Sequence, residues 1–296
     1  DSWALGLAGL QPVSDALGLV SALRPESAPE LWQKGAAILA RINDYAAVDA
    51  TRRGAIQRFA SAKLRPKLAE LGWDSRADES DVVSNLRNSL IGTLGTLGDP
   101  GVLAEARRRF AEDAVHPIAA AQRKTILAVV AINADAADWD RLHAMAKAET
   151  APLVRSQLYG LLASTRDPAL ADKALDLSLS GEPSETDAAA MINIVANLHP
   201  ERSFDFAVAH LEQVSAKIDE GARSRFIVGL GGKSDDVAIL PRLESWAKVN
   251  LKGDAYQAAD KAIASIRYRA MIKTQRLPAI VAWLAANDGQ ARGGDK

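Results

Sequence analysis

Residues 82–110 read VVSNLRNSLIGTLGTLGDPGVLAEARRRF. Val82, Val83, Leu86, Leu90, Ile91 and Leu94 recur at steps of three and four, so they share one face of a helix. Gly98 sits where a helix C-cap is expected, and Asp99-Pro100 offers an N-cap acceptor followed by proline at the first helical position. Leu103, Ala106 and Phe110 then begin a second stripe. The stretch specifies helix, turn and helix, with no period-2 run in it.

The same grammar extends outward. Leu170, Ala174 and Leu177 form another stripe, and Val237, Leu240, Leu243 and Ala247 a further one. Asp167-Pro168 repeats the start signal, His116-Pro117 and His199-Pro200 repeat its proline, and Gly181 and Gly232 stand at further expected stops. Pro241 falls inside a predicted helix and should kink it. From Asp99 the comparable starts are Asp135, Asp167, Pro200 and Asp235, separated by 36, 32, 33 and 35 residues. A period near that of two short helices and two turns is the mark of stacked helical hairpins. No shared side-chain code of the tetratricopeptide kind accompanies it, so the expected fold is all-α, a right-handed superhelical stack of HEAT- or armadillo-like hairpins. Residues 1–97 read as longer helices, at about 12–23, 29–43, 49–72 and 80–97. With no linker between the two parts, residues 1–286 are expected to form a single domain: longer helices to 97, irregular hairpin repeats over 98–286. A Gly-rich, charged tail over 287–296 is expected to fray.

Composition agrees with helix, since Ala and Leu dominate and aromatics are only 5%. At 48% apolar and 25% charged, the chain has the make-up of a folded protein rather than a disordered one. A net charge of −1 gives no general attraction to nucleic acid or an anionic membrane, and no apolar run is long enough for a membrane span. With no cysteine there is no disulfide, zinc–thiolate site or thiol nucleophile. The opening Asp1-Ser2-Trp3-Ala4-Leu5 has no initiating Met and no basic leader, so the chain reads as part of a longer polypeptide entered within a helix. Any targeting signal would then lie upstream, and the compartment, periplasm or cytosol, stays open.

The search for chemistry is sparse. His116, His143, His199 and His210 never take the spacing that puts two imidazoles on one helix face, so no metal site is expected. Gly232-Lys233-Ser234 resembles the end of a phosphate loop, but Ile227 stands where the motif needs glycine, and Gly229 to Ser234 reads as a helix–helix turn. Arg107-Arg108-Arg109 spreads round a helix, within reach of Glu105 and Glu112. Arg267, with Tyr268 beside it, is the candidate binding residue. Flanked by Ile263, Ile266 and Ala270, it can aim a guanidinium into a groove and hold a carboxylate. The carboxylates all read as caps or salt-bridge partners, and no serine sits in a nucleophile elbow. The chain is expected to carry no catalytic residue and no cofactor.

A more specific pattern lies in residues 71–110. Leu71-Gly72-Trp73-Asp74 is followed by Leu86-Arg87-Asn88-Ser89-Leu90-Ile91, Leu94-Gly95-Thr96-Leu97-Gly98-Asp99 and Glu105-Ala106-Arg107-Arg108-Arg109-Phe110. This order resembles the C-terminal helical domain of the aminopeptidase N family of zinc aminopeptidases, nearest the puromycin-sensitive and endoplasmic-reticulum branch. Asp1 to Leu5 resembles the junction with the catalytic part, and Arg166-Asp167-Pro168 with Lys173 to Leu179 resembles the middle of the domain. Ala264 to Leu284 matches more loosely, and residues 184–255 weakly. The resemblance implies a noncatalytic domain that arches over a zinc site in a catalytic domain of the same polypeptide and lines a chamber for peptide substrate. The His-Glu-x-x-His and Gly-x-Met-Glu-Asn motifs of that catalytic domain do not occur here, so the zinc would be held outside this chain. A free-standing helical-repeat adaptor that binds protein or peptide is the other reading. A nucleic-acid repeat protein is disfavoured by the absence of a basic stripe.

Overall fold

The computed structural model describes residues 2–46, 49–76 and 78–291, and the architecture is all-α, with no strand among those residues. In chain order the helices are α1 (Ser2–Ala8), α2 (Asp15–Ser21), α3 (Pro29–Tyr45), α4 (Ala50–Leu71), α5 (Asp81–Thr96), α6 (Pro100–Glu112) and α7 (Ala120–Ile132). Then follow α8 (Ala136–Ala148), α9 (Pro152–Leu162), α10 (Pro168–Leu179), α11 (Glu185–Val195), α12 (Pro200–Ala209), α13 (Leu211–Ala216) and α14 (Glu220–Gly231). Last come α15 (Leu240–Asn250), α16 (Tyr256–Met271) and α17 (Leu277–Ala291). Helices adjacent in the chain pack as pairs, among them α8 on α9, α10 on α11 and α14 on α15. The chain divides into two compact units, one of residues up to Val130 with those from Met271 onward, the other Ala131–Ala270.

The starts read from the sequence are helix starts. Asp99, Asp135 and Asp167 cap α6, α8 and α10, each accepting from backbone N–H groups of the first turn. Pro200 opens α12. The last start differs by one residue: Asp236, not Asp235, caps a 3-10 turn over Val237–Ile239. That turn corrects the expectation for Pro241. The proline lies in the first turn of α15, where its missing N–H has no partner to lose, so it starts the helix rather than kinking one. Three stripes also shift. Val82 and Val237 are exposed at helix beginnings, and Val102 rather than Leu103 is fully buried in α6, because the face is fixed by contact with α5.

In the first unit α3 and α4 both pack on α5, and α17 lies on α4, with Phe59 meeting Trp283 edge to face at 5.6 Å. A π-helical stretch over Ile272–Arg276 precedes α17, and Arg276 donates from Nε to the Leu7 carbonyl at 3.2 Å. Helix α17 runs into the expected fraying tail as far as Ala291; residues 292–296 of that tail lie outside the described residues. Two glycines of the Leu94 to Asp99 motif have separate reasons to be glycine. Gly98 has φ +77°, a conformation that costs a residue with Cβ. Gly95 is helical, but a Cβ there would collide with the Val129 side chain on α7.

The second unit is tied by two ladders that run from hairpin to hairpin. Lys173 on α10 meets Asp140 on α8 at 2.5 Å, Arg202 on α12 meets Asp172 on α10, and Arg242 on α15 meets Asp205 on α12 at 2.7 Å. These pairs are exposed, so each contributes little by itself, about 0–1 kcal/mol. A second ladder joins the turns. Arg166 donates to Asn133 at 2.9 Å, His199 Nε2 to the Thr165 carbonyl at 3.0 Å, and Lys233 to the Asn193 carbonyl at 2.5 Å. Arg269 donates from Nε to the Ser234 carbonyl at 2.9 Å and from Nη2 to that of Gly232. The buried turn carbonyls of Thr165, Gly232 and Ser234 are thus satisfied by the next hairpin, whereas Asn193 is exposed on α11.

Gly232 follows α14 with a right-handed φ of −59°, so its glycine is not a conformational stop. A Cβ there would lie 2.8 Å from that of Ala262, and close helix approach is the reason for it. Gly229 contrasts with it. It lies inside α14, exposed, with open space where a Cβ would be. Gly229→Ala should therefore raise stability by about 0.5–1 kcal/mol, since it removes unfolded-state freedom and meets nothing. Urea unfolding would read this as a higher midpoint at unchanged slope.

Candidate functional site

Arg267 lies on α16, whose residues Ala259, Ala262, Ile263 and Ile266 are buried. On the flank of that buried face, Tyr256, Asp260, Ala264 and Arg267 follow one another at helical spacing. With Ile263 at its floor and Glu244 and Lys248 of α15 opposite, they line a groove of about 390 Å³. The Arg267 side chain is 64% exposed, and its Nη2 stands 3.9 Å from Glu244 Oε1, too far for a hydrogen bond. Its guanidinium is therefore only loosely engaged. The side chains of Asp260 and Lys248 form no ion pair or hydrogen bond among the described residues. The groove thus presents two acids and two bases, a mixed surface suited to the alternating donors and acceptors of a peptide. Tyr268, 47% exposed, points from the next position on the helix and is not part of the groove lining. The sequence names Arg267 and Tyr268; Glu244, Lys248, Tyr256 and Asp260 join Arg267 in the groove only through the fold. Asp260 also departs from the expectation that every carboxylate serves as a cap or a salt-bridge partner.

The motif residues of 71–110 do something else. They hold the α4–α5 connection. Arg87 on α5 is 1% exposed; it donates from Nε to the Gly72 carbonyl at 2.9 Å, from Nη2 to the Leu71 carbonyl at 3.2 Å and from both terminal nitrogens to Glu79. The Arg87 hydrogen bonds hold the Glu79 carboxyl below its usual range. Arg109 on α6 stacks over Trp73 at 5.2 Å and pairs with Asp74 at 2.8 Å and Glu105 at 2.7 Å. Gln122 donates to the Trp73 carbonyl. Glu105 is drawn down to about 2, chiefly by its hydrogen bond from Arg108. The triplet Arg107-Arg108-Arg109 includes the expected pairing with Glu105 and Glu112: Arg108 bonds both.

The histidines stay apart. His116 and His210 are exposed, His143 meets Glu182 at 2.6 Å, and His199 belongs to the turn ladder. No group of three or more His, Asp or Glu side chains among the described residues could hold a metal ion. No helix among them is long and apolar enough to cross a membrane. Gly232 to Asp236 forms the turn between α14 and the following 3-10 segment, and Lys233 is engaged at Asn193.

The family model described as ERAP1-like C-terminal domain matches residues 1–268. Aminopeptidase M1-A of Oryza sativa is 26% identical over 196 residues, which cover 64% of this chain and 22% of that protein. Aminopeptidase M1 of Arabidopsis thaliana is 27% identical over 197 residues, again 64% of this chain and 22% of the relative. Aminopeptidase 2 of Candida albicans is 30% identical over 127 residues, covering 40% of this chain and 13% of that protein. The chain thus spans under a quarter of the length of these relatives.

Proposed function

Because the chain belongs to the ERAP1-like C-terminal domain family of M1 aminopeptidases, we propose that it is the noncatalytic C-terminal domain of a zinc aminopeptidase, covering the active site and lining the chamber that receives peptide. The match over residues 1–268 carries the reading. Support comes from the sequence itself, which has no His-Glu-x-x-His motif. The partner is then a catalytic domain of the same polypeptide, which holds the zinc, and the whole enzyme removes N-terminal residues from peptides. We assign it to the puromycin-sensitive-like branch, with residues 1–286 as one domain whose hairpins wind as a right-handed superhelix.

Within this role Arg267 and Tyr268 contact substrate beyond its first residue. Closure by such a domain excludes water from the reacting bond and adds contacts that only longer substrates reach. The loose hold of Glu244 on Arg267 leaves its guanidinium free to take a peptide carboxylate. Two measurements test the proposal. The chain alone, supplied with zinc, should not hydrolyse an aminoacyl anilide. In the longer polypeptide, Arg267→Ala should raise KM for a peptide of about ten residues roughly fivefold, the ~1 kcal/mol of one partly exposed charged contact. The aminoacyl anilide should be turned over unchanged. Equal loss on both substrates would remove Arg267 from the chamber, and zinc-dependent turnover by the chain alone would overturn the noncatalytic role.

A further inference from the structure

A cavity of about 660 Å³ opens in the first unit between α4 and the turn that joins α5 to α6. Its α4 wall is Gly54, Gln57, Arg58, Ser61, Ala62, Arg65 and Pro66, one face of a helix by spacing. Leu97, Gly98, Asp99 and Pro100 form the facing side. That volume lies within the range of ligand sites. Gly54 and Gly98 leave room at its margins: a Cβ on Gly98 would lie 4.0 Å from Gln57 Nε2.

The charge of this cavity is one-sided. Asp99 is its one carboxylate among the described lining residues, and it is saturated. Its Oδ1 accepts from the N–H groups of Gly101 and Val102, and its Oδ2 accepts from Ser61 Oγ at 3.1 Å and from Arg65 Nε. Burial works to raise its carboxyl, but the hydrogen bonds from Arg65, Val102 and Ser61 outweigh that and hold it low and ionised. Arg65, half exposed, spends only Nε on that bond, so its two terminal nitrogens remain open. The side chains of Arg58 and Gln57 form no hydrogen bond or ion pair among the described residues. Arg58 leans back along α4, with Nη1 3.6 Å from the position of a Gly54 Cβ, as helix side chains do. The two arginines are seven residues apart, about 10 Å along the axis, so they offer two separate anion-binding forks rather than one.

We infer that this cavity binds an acidic polypeptide segment, two of whose carboxylates take the separate forks of Arg58 and Arg65. A lone inorganic anion would use one fork and leave the other unmet. The site shares no residue with the groove at Arg267, and its occupancy does not rest on the aminopeptidase role.

Calorimetric titration of the 296-residue chain with an acetylated hexapeptide of alternating Glu and Gly tests it, with the Gln-for-Glu peptide, inorganic phosphate and succinate as parallel titrants. The Glu peptide should bind saturably and more weakly as salt rises. Arg58→Ala should weaken binding about fivefold, and Arg58→Lys less, because it keeps the charge but not the fork. Arg58 has no partner to lose, so the variant should melt with the parent; Gln57→Leu serves as a second, milder probe of the same wall. Equal binding of the Gln peptide, binding indifferent to Arg58→Ala, or no saturable binding would each overturn the site. Arg58-dependent binding of phosphate or succinate without binding of the Glu peptide would overturn the polypeptide ligand.

Discussion

Replacing Arg87 with alanine should lower the stability of the chain by about 3–5 kcal/mol, the cost of breaking a buried ion pair from one side. The side chains of Arg87 and Glu79 are 1% and 6% exposed. Without the guanidinium, Glu79 is left as a buried carboxylate with only the weaker influence of Arg76, and it is driven to take up a proton or drag the connection open. The Leu71 and Gly72 carbonyls at the end of α4 lose their donor in the same step. Lysine cannot replace these bonds, because an ammonium is a point charge and Arg87 uses three nitrogens in fixed directions. Arg87→Lys should therefore recover only part of the loss. The double variant Arg87→Met with Glu79→Leu should be more stable than Arg87→Ala, since it removes the orphaned charge as well as the pair. Thermal unfolding would show the single variant as a midpoint lower by on the order of 10 °C. A midpoint shared with the parent would mean that the α4–α5 connection does not depend on this clamp.

That residue shows what could and could not be read beforehand. Leu86-Arg87 was visible as part of a family pattern, but its physical work was not, because its partners lie 8 to 16 residues away in a connection with no periodicity. Helix starts were legible because capping is local: Asp99, Asp135 and Asp167 each act on N–H groups two or three residues on. Pro241 was misplaced because the stripe over Val237 to Ala247 ran through it, and only the 3-10 turn at Val237–Ile239 separates the segments. The ladders of the second unit escaped notice for a related reason. Asp140–Lys173, Asp172–Arg202 and Asp205–Arg242 span 33, 30 and 37 residues, so no fixed offset marks them. At the groove, Asp260, Ala264 and Arg267 could have been joined by helical spacing, whereas Glu244 and Lys248 required knowing that α15 stands opposite α16.

In the second unit the largest loss should follow Trp139→Ala, about 3–5 kcal/mol. Trp139 is 1% exposed on α8, the helix that pairs with α9. Its Nε1 donates to the Leu162 carbonyl at 3.1 Å, near the end of α9, where the α-helix has no donor of its own to offer. One ring face carries Lys173 Nζ at 4.1 Å, and His143 tilts against the ring at 5.2 Å. Three contributions can be separated by substitution. Trp139→Phe keeps most of the buried aromatic surface and removes the N–H, so it should cost about 1–3 kcal/mol through the unmet carbonyl. Lys173→Ala removes the cation from a half-exposed position and should cost about 1 kcal/mol or less. The remainder of the alanine loss is then the cavity and the lost apolar transfer, which cannot be relieved where helices are already in contact. The order alanine, phenylalanine, then the Lys173 change is the prediction, read as denaturation midpoints in urea. If Lys173→Ala proved as costly as Trp139→Ala, the hairpin would be held by its exposed charges, and the claim that buried surface between paired helices carries its stability would fail.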